Sequence, residues 1–215
     1  MRSTLIATVG TSLFIGNLDK LRENSFIESS LKDELWTYYN NKNWPKLARK
    51  FQVIHPSDRI CGAEINTIEE LTFNRKLPNL ENIYFLVSDT EIGRNTGKFL
   101  VSYFEQRKNL KLKQIDFLPI NDLQGTQPKD FKSKGLRNLV REIGILINRA
   151  GGPNNVAIDA TGGYKAQIAI AVLMGQALNI PIYYKHERFN EIIDFPPLPI
   201  SLDFDILGDN ADIFN

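Results

Sequence analysis

Three times in this chain a short apolar run ends in a turn of glycine and small hydroxyl residues ahead of a helical stretch. LIATV leads into Gly10-Thr11-Ser12, IYFLV into Ser88-Asp89-Thr90 with Gly93, and VAI into DATGGYK at residues 159–165. Apolar runs this short, bounded by turn residues, read as buried strands. A strand returning parallel to its neighbour needs a long crossover, usually a helix, so the recurrence of strand, turn and helix constrains the chain to an α/β domain with a mostly parallel sheet. Residues 180–184 read as a further strand, and 112–118, where apolar and polar residues alternate, as a half-exposed edge strand. Helices are expected over 63–73, 97–106, 135–149 and 166–178; in the third, apolar residues at 136, 139, 140, 143, 146 and 147 share one face. Asn40, Asn41, Asn43 and Pro45 interrupt the stretch from 18 to 50, which predicts two helices joined by a loop. The aromatic block TYYNNKNW within it is expected to pack rather than to stack on a base.

Composition sets the outer limits. With 215 residues, 42% of them hydrophobic and 24% charged, the chain supports one principal core; no internal repeat or linker divides it. Lys and Arg number 26 against 25 Asp and Glu, so no global charge attracts nucleic acid, DNA is not an expected partner, and any polyanion site must be local. Cys61 is the only cysteine, which excludes an intramolecular disulfide framework and a cysteine-rich zinc site. The start MRSTLIATVG has neither the apolar core nor the cleavage site of a signal peptide, and no run reaches membrane-spanning length. A soluble, cytoplasmic protein without a membrane partner is expected.

In an open parallel sheet the three turns share the carboxyl edge, where ligands bind near the point at which strand order reverses. Glycines admit a ligand close to the backbone, and amides at a helix start face an anion. Thr11, Ser12, Thr90 and Thr161 add neutral hydrogen-bonding groups. Lys165 opposes the dipole of the helix it begins, and so calls for an anion. Turn and capping chemistry explains each junction taken singly, but three at one edge point to a phosphate or ribose. Asp159 is expected to be buried and to hold its loop. GxxxxGK[ST] and GxGxxG are absent, His55 and His186 lack helical metal-ligand spacing, and Ser12 has no GxSxG context. No metal or cofactor is therefore expected. Asp194, ahead of a proline-rich segment, reads as a turn residue.

Taken in order, ATVGTSL, SDTEIG and IDATGGYKAQIAIAVLMGQALNIPIYYKHERFNEIIDFPPLPI resemble the CARF domains of type III CRISPR systems, specifically the branch that includes standalone ring nucleases. The resemblance spans about residues 3–202. It implies a Rossmann-like sheet flanked by helices, a homodimer about a two-fold axis, and a cyclic oligoadenylate, tetra- or hexa-adenylate, bound across the dimer. Residues 1–202 would form that domain and 203–215 a C-terminal tail. It further implies that Gly10, Thr11 and Ser12 contact phosphate and ribose. Ser88, Asp89 and Thr90, with Gly93, would contact ribose or adenine, while Thr161, Gly162, Gly163 and Lys165 hold the phosphate. Residues 122–134 either cover the ring or form an ordinary solvated loop.

If the ring is cleaved, its ribose 2′-OH attacks the adjacent phosphate without a metal, leaving a 2′,3′-cyclic phosphate and a 5′-OH. Family members place a serine or threonine and a lysine at the matching positions, which makes Ser12 the residue that positions the 2′-OH and Lys165 the one that stabilises charge on the phosphorane. Neither is a strong base at neutral pH, so slow turnover is expected. The alternative is a noncatalytic sensor that switches an attached or partner effector such as a HEPN ribonuclease. No arginine-xxxx-histidine ribonuclease signature follows FPPLPI, and no helices remain after residue 202 for a winged-helix regulator, so a standalone protein is the expectation. Ring size depends on dimer geometry and is not encoded in any one residue.

Overall fold

The computed structural model describes residues 2–18, 27–123, 128–186 and 191–199. Six strands form one sheet in the order β3-β2-β1-β4-β5-β6. They are β1 (Thr4–Thr8), β2 (Asn82–Ser88), β3 (Gln114–Ile120), β4 (Val156–Asp159), β5 (Ile182–Tyr184) and β6 (Ile193–Asp194). All neighbours run parallel except β5 and β6. Strand β3 lies at an edge, as its alternating pattern requires, whereas every residue of central β1 and β4 is buried, as expected where helices cover both faces.

Successive side chains of a strand point to opposite faces, and this divides the core in two. Leu5, Ala7, Ile83, Phe85, Val87 and Ala157 enter one apolar cluster. Ile6, Tyr84, Leu86, Val156 and Ile158 enter the other. The first is closed by α1 (Ser29–Asn40), α2 (Trp44–Phe51), α3 (Gly62–Phe73) and α4 (Glu91–Glu105). The second is closed by α6 (Leu136–Arg149), which follows the short α5 (Pro128–Asp130), and by α7 (Lys165–Ala177). The α/β fold class predicted from sequence, a Rossmann-like sheet flanked by helices, is the one observed.

Boundaries moved for local reasons. Helix α4 begins at Glu91 rather than 97, because the Thr90 hydroxyl accepts the Gly93 N–H at 3.0 Å and caps the helix there. The expected pair of helices before residue 51 is present, the second opened by Asn43, whose side chain accepts the Lys46 N–H at 3.3 Å, with Pro45 in its first turn. Tyr39 and Trp44 pack on Phe14, with ring centroids 4.9 and 5.7 Å away. On α6 the expected face is buried at Leu139, Ile143, Leu146 and Ile147, but Val140 turns outward, 41% exposed.

Strand β6 was not anticipated. Asp194 is not a turn residue: it pairs antiparallel with Tyr183 and its carboxylate meets the Lys76 ammonium at 2.6 Å. Two residues are too few to show strand periodicity, and the Lys76 partner of Asp194 lies 118 residues away.

Candidate ligand-binding cleft

Strand order puts the turn after β1 and the turn after β4 on either side of the crevice where the chain's path reverses, leaving β1 for β2 on one side and β4 for β5 on the other. Register keeps the strand ends level: Ala7 pairs with Phe85 and with Asp159. The result is a cleft of about 360 Å3 whose wall includes Gly10, Thr11, Ser12, Ser88, Thr161, Gly162 and Gly163, with Ile15, Ala63 and Tyr164. All three sequence-predicted turns thus reach one cleft.

The predicted residues are not equivalent within it. Ser12 is exposed at the rim, while Ser88 is buried, its hydroxyl 2.9 Å from that of Thr90. Asp89, Thr90, Gly93 and Lys165 stand outside the lining. Asp89 is occupied by Arg94, whose Nε donates to it at 2.7 Å, and Gly93 packs so tightly on the Ser88 carbonyl that a side chain there would collide with it. Lys165 starts α7 one residue beyond Tyr164, exposed to solvent.

Beneath the cleft lie two buried carboxyls, one for each side of the crevice. Asp159, the last residue of β4, accepts the Thr161 N–H at 3.0 Å and the Thr161 hydroxyl at 2.5 Å, and so holds its loop as predicted. Burial pushes its pKa up to about 7; the Thr161 hydrogen bonds oppose the rise, and the nearby charge of Glu64 adds to it. Glu64, in the first turn of α3, is 1% exposed and accepts the Gly10 N–H at 3.0 Å. Its burial likewise raises its pKa, against the Gly10 hydrogen bond. Sequence reasoning missed Glu64 altogether, because an acidic residue in the first turn of a helix is ordinarily a solvated complement to the dipole.

Glu64 also accounts for Gly162, where an added Cβ would run into the Glu64 carboxylate. Gly163 has φ +111°, and a Cβ there would come within 2.6 Å of Gln167 Oε1. That oxygen accepts the Tyr164 N–H at 3.3 Å, while the Gln167 amide nitrogen donates to the Leu86 carbonyl at 3.0 Å. The glycines of DATGGYK are therefore required by crowding inside the protein, whatever fills the cleft. The amides of Gly10, Thr161 and Tyr164 are committed inward, and the polar groups of the wall are chiefly hydroxyls and backbone. Thr8 completes the floor, donating to the Gly162 carbonyl at 2.5 Å, and the N–H of Lys185, the residue after β5, donates to Thr161 Oγ1 at 3.0 Å.

Residues 59–198 match the model of a CRISPR-associated protein family, Cas_APE2256, over well more than half of the chain. The chain belongs to that family. The match takes in Glu64, the Ser88 turn and DATGGYK, while the Gly10-Thr11-Ser12 turn of this Cas_APE2256 protein precedes it. No curated protein matches the chain. Among the described residues of the Cas_APE2256 protein, no helix is long and apolar enough to cross a membrane. None of its described His, Cys, Asp and Glu residues cluster in a group of three or more that could hold a metal. Residues 122–134, expected either to cover a ligand or to form a solvated loop, fall partly outside the described residues. Their described remainder runs through α5 into α6 and brings Phe131 edge-on to Tyr164, ring centroids 6.0 Å apart. Residues 203–215, expected to form a C-terminal tail, lie outside the described residues.

Proposed function

We propose that this cleft binds a cyclic oligoadenylate as a CARF-type domain, each of two subunits contributing one copy of the three turns, and that it cleaves the ring slowly without a metal. The observation that carries this reading is the convergence of the three turns on one hydroxyl-rich cleft at the switch point of a CRISPR-associated chain. A volume of about 360 Å3 lies at the small end of ligand pockets and suits a nucleotide-sized part of a ring. A symmetric ring matches the two-fold axis of a homodimer, which would present the cleft twice.

Cleavage would use chemistry the ligand brings. The ribose 2′-oxygen bonds to phosphorus as the bond to the 5′-oxygen breaks; the 2′-hydroxyl proton leaves and the 5′-oxygen takes one up. Ser12, exposed at the rim, is assigned the positioning of the 2′-OH. Lys165, on a flexible stem beside the rim, is assigned the phosphorane charge. The position of Lys165 outside the lining also favours a second reading, a sensor that holds the ring intact and biases an effector.

Incubating purified protein in excess with radiolabelled cyclic tetra- and hexa-adenylate in EDTA separates the two. Linear products ending in a 2′,3′-cyclic phosphate, lost in Ser12→Ala and Lys165→Ala, support the nuclease. Tight retention of an intact ring leaves the sensor, and neither binding nor cleavage overturns both.

A further inference from the structure

Glu64 and Asp159 raise a question that turn-holding alone does not answer. Both are buried, they sit on different elements, and the charge of Glu64 reaches Asp159. Asp159 gives one carboxylate oxygen to Thr161, while its other, Oδ2, is buried with no hydrogen-bond partner. A buried, unpartnered carboxylate oxygen is costly when charged and far less so when it carries a proton. Glu64 Oε1 lies close enough to the turns that the Gly10 amide reaches it and Gly162 can carry no side chain beside it. Any anion seated against Gly10, Gly162 and Gly163 therefore stands beside Glu64 and next to the turn that Asp159 holds through Thr161, against a floor of low dielectric.

We propose that Glu64 and Asp159 act as one positioning pair behind the floor of the cleft, fixing the turns after β1 and β4, and that seating an anionic phosphodiester there is coupled to uptake of a proton from solvent by the pair. The inference rests on the reading of the cleft as a phosphodiester site. Its physical basis is that a like charge brought near a carboxylate favours the neutral form, and that carboxyls which interact electrostatically couple their titrations. Burial raises both carboxyls, Asp159 to about 7, so at Asp159 the added charge acts where the proton balance is sensitive.

Charged groups on the packed elements are otherwise engaged or peripheral. Lys185 on the β5 side is paired with Glu70 of α3, itself also holding the Ile192 N–H at 3.2 Å, and Lys165 at the start of α7 is exposed. A ring of phosphodiesters has no group of its own that titrates between pH 6 and 8. His55 and His186 are the side chains whose ordinary range overlaps that window, and the variants below leave both in place.

The test is calorimetric titration of the full chain with cyclic tetra-adenylate and with cyclic hexa-adenylate at pH 7 in buffers of different ionisation enthalpy, with affinity for the ring that binds followed from pH 6 to 8. Net proton uptake is expected in the wild type, with affinity falling as pH rises, by up to about tenfold per pH unit for one whole coupled proton. Glu64→Gln keeps an acceptor for the Gly10 N–H, and Asp159→Asn one for the Thr161 N–H. Each is expected to bind with reduced uptake, and the double variant with none. Binding by the wild type without proton uptake, or undiminished uptake in a double variant that still binds, overturns the pair and leaves the site reading standing. Absence of binding of either ring by the wild type overturns the site reading and this inference with it.

Discussion

Gly162 and Gly144 show how differently one residue type is held. At Gly144, inside α6, a Cβ would meet nothing within 4 Å, so Gly144→Ala removes only the entropic cost of glycine in a helix and is expected to raise stability by about 0.5–1 kcal/mol. At Gly162 the same methyl meets the buried Glu64 carboxylate and lies 3.0 Å from the Thr8 carbonyl oxygen. Gly162→Ala must push a hydrogen-bonded acid off the Gly10 amide, and a loss of about 1–3 kcal/mol is expected from such overpacking. Urea denaturation of the two variants beside the wild type checks both signs; equal effects would remove Glu64 as the reason for the second glycine. The sequence drew attention to Gly162 as a ligand contact, and the structure adds a packing requirement at the same position. From the chain alone a glycine near a lysine at a helix start reads as a ligand contact, because the crowding partner lies 98 residues away, at position 64.

Elements were more legible than residues. The strands of the parallel core and the helices that cross between them follow from apolar runs and the spacing of one buried face, patterns written in consecutive positions. Helix α4 shows where that legibility thins. Its apolar face begins late, at Phe99, so periodicity places its start near 97, while the chain is already helical from Glu91 under the Thr90 cap. Thr90→Ala leaves the Gly93 N–H without its acceptor and is expected to cost about 1 kcal/mol. The loss should appear as a lower denaturation midpoint with unchanged slope, and Thr90→Ser should recover most of it. A neutral Thr90→Ala would mean that packing of Phe99, Tyr103 and Phe104, not the cap, fixes the helix.

For the molecule as a whole, the buried acids set how stability varies with pH. Asp159 titrates at about 7 in the folded chain against 3.8 for an ordinary aspartate. Between those values the unfolded chain has released a proton that the folded chain still holds, so stability falls as pH rises, by on the order of 4 kcal/mol in all. The contribution is complete below the lower value and gone above the upper one. Asp159→Asn retains an acceptor for the Thr161 N–H and cannot titrate, so its stability should fall less between pH 4 and 7 than that of the wild type. Glu64, raised in the same direction, keeps some slope in the variant. Denaturant unfolding across that range measures the difference, and parallel curves would place the proton elsewhere.

By itself the sequence determined the α/β class, the parallel sheet, the three turns that end its central strands and the burial of Asp159, because all of these are written in local runs and spacings. Only the tertiary structure decided that α3 places Glu64 under the glycines, that Lys185 lends its amide to Thr161, that Lys165 stands outside the cleft wall, and that two residues near the end of the described chain close the sheet as β6. The first of these depends on residues far apart in the chain meeting in a packed interior, where desolvation and steric contact are set by the neighbour and not by the sequence on either side; the last is a pairing of two residues, too short for a local pattern to announce.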